Sequence, residues 1–289
     1  MLTISAEKFL LWKEKQILKG GDNQSLCLLI DLVGGLSNKE LNFLKIKSEK
    51  NIKLKINLEL LELLWDKHLS TNIPIQYLSG ISYWRDLKLE VSNQVLIPRP
   101  ETELIVDIVS EKFQNKKEKI TFVDLGTGSG AIGIALALRY PNWNGIATDI
   151  DRNAIEIATR NFKNNTNQSN MKFYTGNWWN PLKIFKGEID LAIANPPYIP
   201  QDIYKNLPLA VKNFEPKNAL LGGEDGLDHV KEIVHEAPLY LKEKGWLFIE
   251  NHFDQGGIVQ ELFLKNKFTA VKVLKDFSGI GRFTIGRYK

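Results

Sequence analysis

Cysteine is almost absent from this 289-residue chain. Cys27 stands alone, so no intramolecular disulfide can form. It lies in the apolar run Leu26-Cys27-Leu28-Leu29-Ile30 and reads as a small core residue. Long apolar runs are missing too: none approaches the roughly 18 residues of a membrane span. The stretch Met1 to Lys8 lacks a basic segment followed by an apolar core, so no signal peptide and a cytoplasmic location are expected. The four histidines, His68, His229, His235 and His252, show no metal-ligand spacing with Cys27, and no metal site is expected. No internal repeat is evident. The net charge of +4 permits an acidic or nucleic-acid-associated partner without requiring one. Lys112, Lys116, Lys117 and Lys119 read as a solvated helix end.

What is present is ordinary in bulk and specific in pattern. Hydrophobic content of 43% and charged content of 25% suit a globular protein of one large or two modest domains. Residues 1–73 carry apolar positions at helical spacing: Phe9-Leu10-Leu11 with Ile17-Leu18, then Leu26, Leu29, Ile30 and Val33, then Ile56 to Trp65. Breaks fall at Gly20-Gly21-Asp22-Asn23 and Gly34-Gly35-Leu36-Ser37. With no cluster of catalytic residue types, this segment is expected to be a helical domain that docks a partner or buttresses the rest. Residues 74–96 read as a hairpin linker, from the alternation Tyr83 to Val91. Pro100, Glu101 and Glu103 then resemble a helix start, which leaves Pro98-Arg99 less well explained.

From residue 120 an α/β alternation begins. The strand Ile120 to Leu125 runs into Gly126-Thr127-Gly128-Ser129-Gly130 and a helix from Ala131 to Leu138. Glycines permit a tight turn and close backbone approach, and the helix start presents free N–H groups. The strand Asn144 to Asp149 ends in an acid about 20 residues past the loop, placed to accept both hydroxyls of a ribose. A third strand, Met171 to Thr175, leads to Gly176-Asn177-Trp178-Trp179; one tryptophan is expected beside an adenine and the other in the core. A fourth, Ile189 to Ala194, ends at Asn195-Pro196-Pro197-Tyr198. The prolines fix φ and leave their carbonyls free, Asn195 adds a side-chain acceptor, and Tyr198 adds a flat face. Two acceptors and a ring suit a planar NH2 group.

Beyond this clamp, residues 199–223 read as an irregular loop and candidate substrate lid. A helix from Asp225 to about Lys244, a strand Gly245 to Glu250 and a helix near Gly257 to Lys265 follow. Two successive strands, Phe268 to Leu274 and Gly281 to Arg287, leave no room for a helix between them, so the second is expected to run antiparallel. The fold class expected is α/β: a Rossmann-like class I methyltransferase sheet with a C-terminal antiparallel strand over residues 97–289, plus the helical domain. Gly126-x-Gly128-x-x-Ala131 also satisfies a dinucleotide fingerprint. The NH2-directed clamp, and the lack of a histidine or lysine to assist hydride transfer, favour S-adenosylmethionine over NAD.

In these motifs the chain resembles the HemK/PrmC family, the release factor glutamine N5-methyltransferases. The likeness runs through Pro74-Ile75-Gln76-Tyr77, Ile97-Pro98-Arg99-Pro100-Glu101-Thr102-Glu103, Asp124 to Gly130, Asn195 to Tyr198, and Glu215-Pro216 with Ala219-Leu220. It implies that Gly126, Thr127, Gly128, Ser129, Gly130, Asp149 and Trp178 bind S-adenosylmethionine. It further implies that Asn195, Pro196, Pro197 and Tyr198 hold the acceptor glutamine, with Asn195 also near the methionine part of the cofactor. Asn195, Pro196 and Tyr198 would then be the catalytic set. The acceptor would be the glutamine of the Gly-Gly-Gln loop of class 1 peptide-chain release factors. A monomer without direct nucleic-acid or membrane binding is expected. Two departures stand out: Asn177 replaces the usual acid before the tryptophan, and Asn251-His252-Phe253 stands where the family commonly has a glycine nearby.

Three alternatives use the same residues. An N6-adenine or N4-cytosine nucleic-acid methyltransferase would present its exocyclic amine to the same clamp and would require base flipping. A dehydrogenase would use the glycine loop. A ribosome- or factor-binding protein would keep the site only as a vestige.

Overall fold

The computed structural model describes residues 1–44, 51–114 and 119–289. The chain divides into two compact units. One comprises Met1–Ile81 with Leu209–Phe214, the other Ser82–Pro208 with Glu215–Lys289. Among the described residues no helix is long and apolar enough to cross a membrane.

The first unit holds β1 (Leu2–Ser5), α1 (Ala6–Leu18), α2 (Asn23–Leu29), α3 (Asn38–Leu44), β2 (Asn51–Leu54), α4 (Leu58–Thr71) and α5 (Ile75–Ser79). Side-chain oxygens satisfy the free N–H groups at the helix starts: Ser5 accepts from Lys8 N, Asp22 from Ser25 N, and Asn57 from Leu60 N. Ser37 and Glu40 bond each other's backbone N–H reciprocally at the start of α3. Phe9, Leu26, Leu29, Ile30, Leu61 and Trp65 fill the core, and Cys27 is half-buried against it. The expectation of an all-helical segment needs correcting. β1 and β2 pair antiparallel, Leu2 opposite Leu54, because Asn51-Ile52-Lys53-Leu54 buries alternate residues with a period of two. The segment expected as a hairpin alone also begins with α5, which ends at the left-handed Gly80.

The second unit opens with the hairpin β3 (Ile81–Trp84), whose first residue is counted with the first unit, and β4 (Leu87–Glu90), then α6 (Glu103–Phe113). β5 (Thr121–Leu125), α7 (Ala131–Arg139), β6 (Asn144–Asp149), α8 (Arg152–Asn165), β7 (Met171–Thr175) and β8 (Ile189–Ala194) follow. After α9 (Gln201–Lys205) and α10 (Leu209–Phe214), the latter counted with the first unit, come α11 (Asp228–Tyr240), β9 (Leu241–Glu250), α12 (Gly256–Lys265), β10 (Phe268–Lys275) and β11 (Gly281–Tyr288). Seven strands form one sheet in the order β10-β11-β9-β8-β5-β6-β7. β11 runs antiparallel to both neighbours and the remaining pairs are parallel.

The central strands are apolar on both faces, as a covered parallel sheet requires. Phe122, Leu191, Ile193 and Phe248 pack with Ile105 and Val109 of α6 and Ile134 of α7. Val123, Leu125, Ala192, Ala194 and Leu247 pack with Val230, Ile233 and Val234 of α11 and Val259 and Phe263 of α12.

Four readings of this unit change. α8 was not anticipated, because its buried face is built from Ala154, Ala158 and Asn161 as much as from Ile155, Ile157 and Phe162. The helix after residue 225 is shorter than expected. Leu241 pairs with Ile189, so Lys242-Glu243-Lys244 belongs to β9, with Lys244 at a φ of 65°. Residues 199–223 are not wholly irregular but include α9, α10 and a 3-10 turn at Lys217–Ala219. Lys112 is not simply solvated: its Nζ lies 4.0 Å over the Trp246 ring. Lys116 and Lys117 lie outside the described residues.

One buried amide ties three of these elements together. Asn161 of α8 donates to the carbonyls of Glu90 and Ser129, at 2.9 and 2.8 Å, and accepts from Glu90 N at 2.6 Å. Asn161→Ala orphans these backbone groups. It should lower unfolding stability by on the order of 2–4 kcal/mol, read as a shift in urea midpoint.

Candidate active site

From β5 the chain steps through β6 to β7 on one side of the sheet, and from β8 to β9 on the other. Between β5 and β8 the strand order reverses, and a crevice opens at their carboxyl ends. Leu125 is in register with both Ala194 and Thr148, so the glycine loop, Asn195 and Asp149 emerge side by side. They line a cleft of about 1120 Å³ of empty space, its open mouth included.

The loop is held from below. Gly126 N and Thr127 N both donate to Thr148 O, at 2.8 and 2.9 Å. Gly126 has a φ of +71°, and a Cβ there would stand 2.7 Å from the Trp178 ring. Gly128 has a φ of +54°, but a Cβ there would meet no atom within 4 Å: it borders open space. Beneath the loop, buried Asp124 accepts from Thr127 Oγ1 at 2.6 Å and from Gly133 N at 3.0 Å, linking loop to helix α7. Burial pushes the Asp124 carboxyl up to about 6 against the pull of those two bonds.

Asp149 takes Gly128 N on Oδ2 and Asp151 N on Oδ1, each at 2.9 Å. Each oxygen keeps acceptor capacity for a further hydroxyl. Burial raises its pKa. Trp178 closes a side of the cleft in a left-handed conformation, φ 40°, its carbonyl accepting from Thr148 Oγ1 at 3.1 Å. Its Nε1 is buried without a partner, and its ring meets His229 edge-on at 5.5 Å. Such backbone strain in a bulky residue gathers at ligand clamps. Trp179 is the core member of the pair, stacked on Tyr240 with Nε1 bonded to Ile233 O. Asn177 lines the cleft, but its Nδ2 is held by Glu232 Oε1 at 2.6 Å.

The clamp divides. Asn195 and Pro197 line the cleft with Gly126, Thr127, Gly128, Ser129, Asp149 and Trp178, whereas Gly130, Pro196 and Tyr198 do not. Asn195 Nδ2 donates to Thr102 Oγ1 at 3.2 Å, and no protein donor among the described residues reaches Asn195 Oδ1 or the Pro196 carbonyl. The Tyr198 hydroxyl turns inward to Glu250 Oε1 at 3.2 Å, and Gln255 Nε2 holds its backbone carbonyl at 3.0 Å. Burial and the neighbouring carboxylate raise the phenol's pKa.

Sequence reasoning assigned no site role to Thr102, Glu250 or Gln255. It left Arg99 unexplained and quoted Glu215 only as part of a motif. Arg99 Nη2 meets both oxygens of Glu215, at 2.7 and 2.6 Å, and the Glu215 side chain is 2% exposed. This pair anchors the turn that brings Asn218 and Ala219 to the cleft wall. A proline-flanked arginine and a lone Glu-Pro were the only signals.

The strand order, the glycine loop after β5 and the Asn-Pro-Pro-Tyr turn after β8 define a Rossmann-like class I methyltransferase. Residues 101–211 match the family model Methyltransferase small domain. Solved structures share the fold. The hMettl16 catalytic domain in complex with MAT2A 3'UTR hairpin 6 has a TM-score of 0.56 at 18% identity, covering 70% of this chain and 75% of that one. A methyltransferase from Pyrococcus furiosus has 0.50 at 20%, covering 70% and 89%. Curated relatives are nearer. The release factor glutamine methyltransferase of Prochlorococcus marinus is 40% identical, over 96% of both chains. That of Synechocystis sp. is 34% identical, over 98% of this chain and 97% of its own. The chain belongs to the release factor glutamine methyltransferase family.

The site also carries an electrostatic cost. Burial pushes the Glu250 carboxyl from 4.5 to about 7, so between these values the folded chain keeps a proton that the unfolded chain has lost. Stability therefore falls as pH rises through this window, by on the order of 3 kcal/mol from this group. Glu250→Gln, which cannot ionise, should gain on the wild type by that amount between pH 5 and pH 8 in urea midpoints. Parallel pH–stability curves would refute the raised pKa.

Proposed function

We propose that this protein transfers a methyl group from S-adenosylmethionine to the side-chain amide nitrogen (N5) of the glutamine in the Gly-Gly-Gln loop of class 1 peptide-chain release factors. One observation carries the reading most directly. Asn195, on the cleft wall, is held by its own NH2 group, which leaves its Oδ1 without a protein donor; the carbonyl of Pro196, the next residue in the chain, also lacks one although Pro196 does not itself line the cleft. Such a pair fits the two N–H bonds of a primary amide.

The cleft suits the cofactor. Asp149 retains acceptor capacity for ribose hydroxyls, Gly128 borders open space, and the buried Trp178 Nε1 lacks a partner. Its acidic side chains are Asp149 and Asp151, while its arginine, Arg99, is already paired with Glu215. That balance favours a sulfonium cation over a pyrophosphate. Bound S-adenosylmethionine supplies an electrophilic methyl on sulfur. Gly126, Thr127, Gly128, Ser129, Gly130, Asp149 and Trp178 would hold it.

An amide nitrogen is a poor nucleophile because its lone pair is delocalised into the carbonyl. Asn195 and Pro196 would orient the NH2 group and increase electron density on nitrogen, with Pro197 and Tyr198 shaping the wall behind it. Most of the rate gain then comes from positioning and electrostatics. No strong base is needed: the nitrogen becomes acidic on accepting the methyl group and releases its proton afterwards. We assign substrate docking to the helical segment 1–73 and methyl transfer to residues 97–289, with 74–96 connecting them.

The test is labelled S-adenosylmethionine with a release factor, its loop Gln→Ala variant and duplex DNA in parallel. Label should enter only the unaltered factor, at the loop glutamine by mass. Label in DNA alone would replace this reading with the nucleic-acid one. Asn195→Ala should lower kcat by at least about 10²-fold while leaving cofactor affinity within a few-fold. Asp149→Ala should do the reverse, weakening cofactor affinity on the order of 10- to 100-fold in titration calorimetry.

A further inference from the structure

Asn177 has a side chain whose direction is set from outside the cleft. It stands two residues past the end of β7, in a turn that Gly176 N ties to Asp149 O at 2.8 Å. Its Nδ2 donates to Glu232 Oε1 of α11 at 2.6 Å. Asn177 borders the cleft and Glu232 does not. A carboxylate oxygen only accepts, so the amide must turn its NH2 toward Glu232 and its oxygen the other way. No protein donor among the described residues reaches Asn177 Oδ1. The cleft wall therefore carries a fixed acceptor at this point, and the methyl-transfer reading gives it no task.

The order of the sheet says what that acceptor meets. Four neighbouring strands run β8, β5, β6, β7, and their carboxyl ends deliver Asn195, the glycine loop, Asp149 and Asn177 in turn. With the methyl acceptor at Asn195 and the ribose at Asp149, the base of the nucleoside falls on the far side of the ribose, toward β7. There Ile150, Trp178 and His229 offer apolar and ring surface. The other polar side chain on that side, Asp151, already caps α8, its Oδ1 accepting from Asn153 N at 2.8 Å and from Asn153 Nδ2 at 3.0 Å. Asn177 is left as the side chain that can read the edge of the base.

We propose that Asn177 Oδ1 accepts the exocyclic amine of adenine, and that Glu232 is a positioning residue that keeps Asn177 turned as an acceptor. The inference rests on the S-adenosylmethionine reading above. Left alone, an amide can present either end: its oxygen selects an amine, and its NH2 selects a 6-oxo purine. Glu232 removes the choice, because a turned-over Asn177 would set its oxygen against a carboxylate, acceptor against acceptor. The bond also ties the turn after β7 to α11. A tether alone, however, would not distinguish one base from another.

Titration calorimetry of the full chain with S-adenosylhomocysteine and S-inosylhomocysteine, which has a 6-oxo group in place of the amine, tests this. The wild type should bind the adenosyl compound about 10- to 100-fold more tightly. Glu232→Gln keeps the side-chain length but can offer Asn177 a donor or an acceptor. It should cut that ratio about tenfold, chiefly by tightening the inosyl compound. Asn177→Asp sets a second carboxylate against Glu232 and should weaken S-adenosylhomocysteine about tenfold. Combining Asn177→Asp with Glu232→Gln, whose NH2 can meet the new carboxylate, should restore affinity and ratio to within a few-fold of the wild type. A Glu232→Gln protein with the wild-type ratio would overturn the inference, as would a double variant no better than Asn177→Asp. Should Glu232→Gln bind neither compound, the double variant decides: restored binding at the wild-type ratio upholds the pairing, and failure to bind overturns it. A wild type that binds both compounds equally overturns this inference alone, whereas one that binds neither overturns the cofactor reading with it.

Discussion

Parallel pairing between β5 and β8 is the constraint on which the site depends. A parallel ladder aligns carboxyl ends, so both strands deliver their following turns to the same place. The pairing of Leu125 with Ala194 carries Gly126 and Asn195 out together, and the further pairing of Leu125 with Thr148 adds Asp149. Residues 126, 149 and 195, far apart in the chain, meet because of register alone. A slip of one residue would turn every side chain of β8 to the opposite face. It would break the bonds of Asp190 to Thr121 N and Lys242 and misplace the clamp together. The apolar positions on both faces of these strands hold the register, so the core and the active site share one determinant.

Around that crevice the chain carries carboxylates that folding alone would disfavour. Asp124, Asp149 and Glu250 are all raised by burial, and each is kept by hydrogen bonds to the loop or clamp it supports. Asp124 holds the glycine loop on α7, Asp149 pins Gly128, and Glu250 lies behind Tyr198. The left-handed Trp178 adds backbone strain to the same region. Concentrated cost of this kind is what a preorganised site looks like: groups are fixed in their working orientation before any ligand arrives.

Much of this was legible in the sequence wherever a signal was local. The expected bounds of β6, β7 and β8 coincide with the observed strands, since each is a short apolar run closed by a turn. The glycine loop, Asp149, Trp178 and Asn195 are punctuation at strand ends and could be read one after another. What escaped is what depends on partners distant in the chain. Thr102 reads as a helix-start residue until Asn195 bonds to it across 93 positions, and Arg99 stays unexplained until Glu215 arrives from 116 residues away. α8 escaped for a different reason: small and polar residues on its inner face blur the apolar period, and Asn161 is buried to bond backbone rather than to fill space. The pair β1 and β2 escaped because four residues are too few for alternation to outweigh a helical context.

The position of β11 has a kinetic side. It is inserted between β9 and β10, antiparallel to both, so β10 can join the sheet only through a strand that follows it in the chain. Until β11 docks, β9 is an open edge flanked by the apolar residues Trp246 to Ile249, a template for pairing with any extended segment nearby. Non-local pairing of this order is slow to form and leaves the intermediate prone to association. Because Arg282 of β11 reaches the neighbourhood of Glu250 and Tyr198, a molecule trapped before that step would have a sheet but an unfinished clamp.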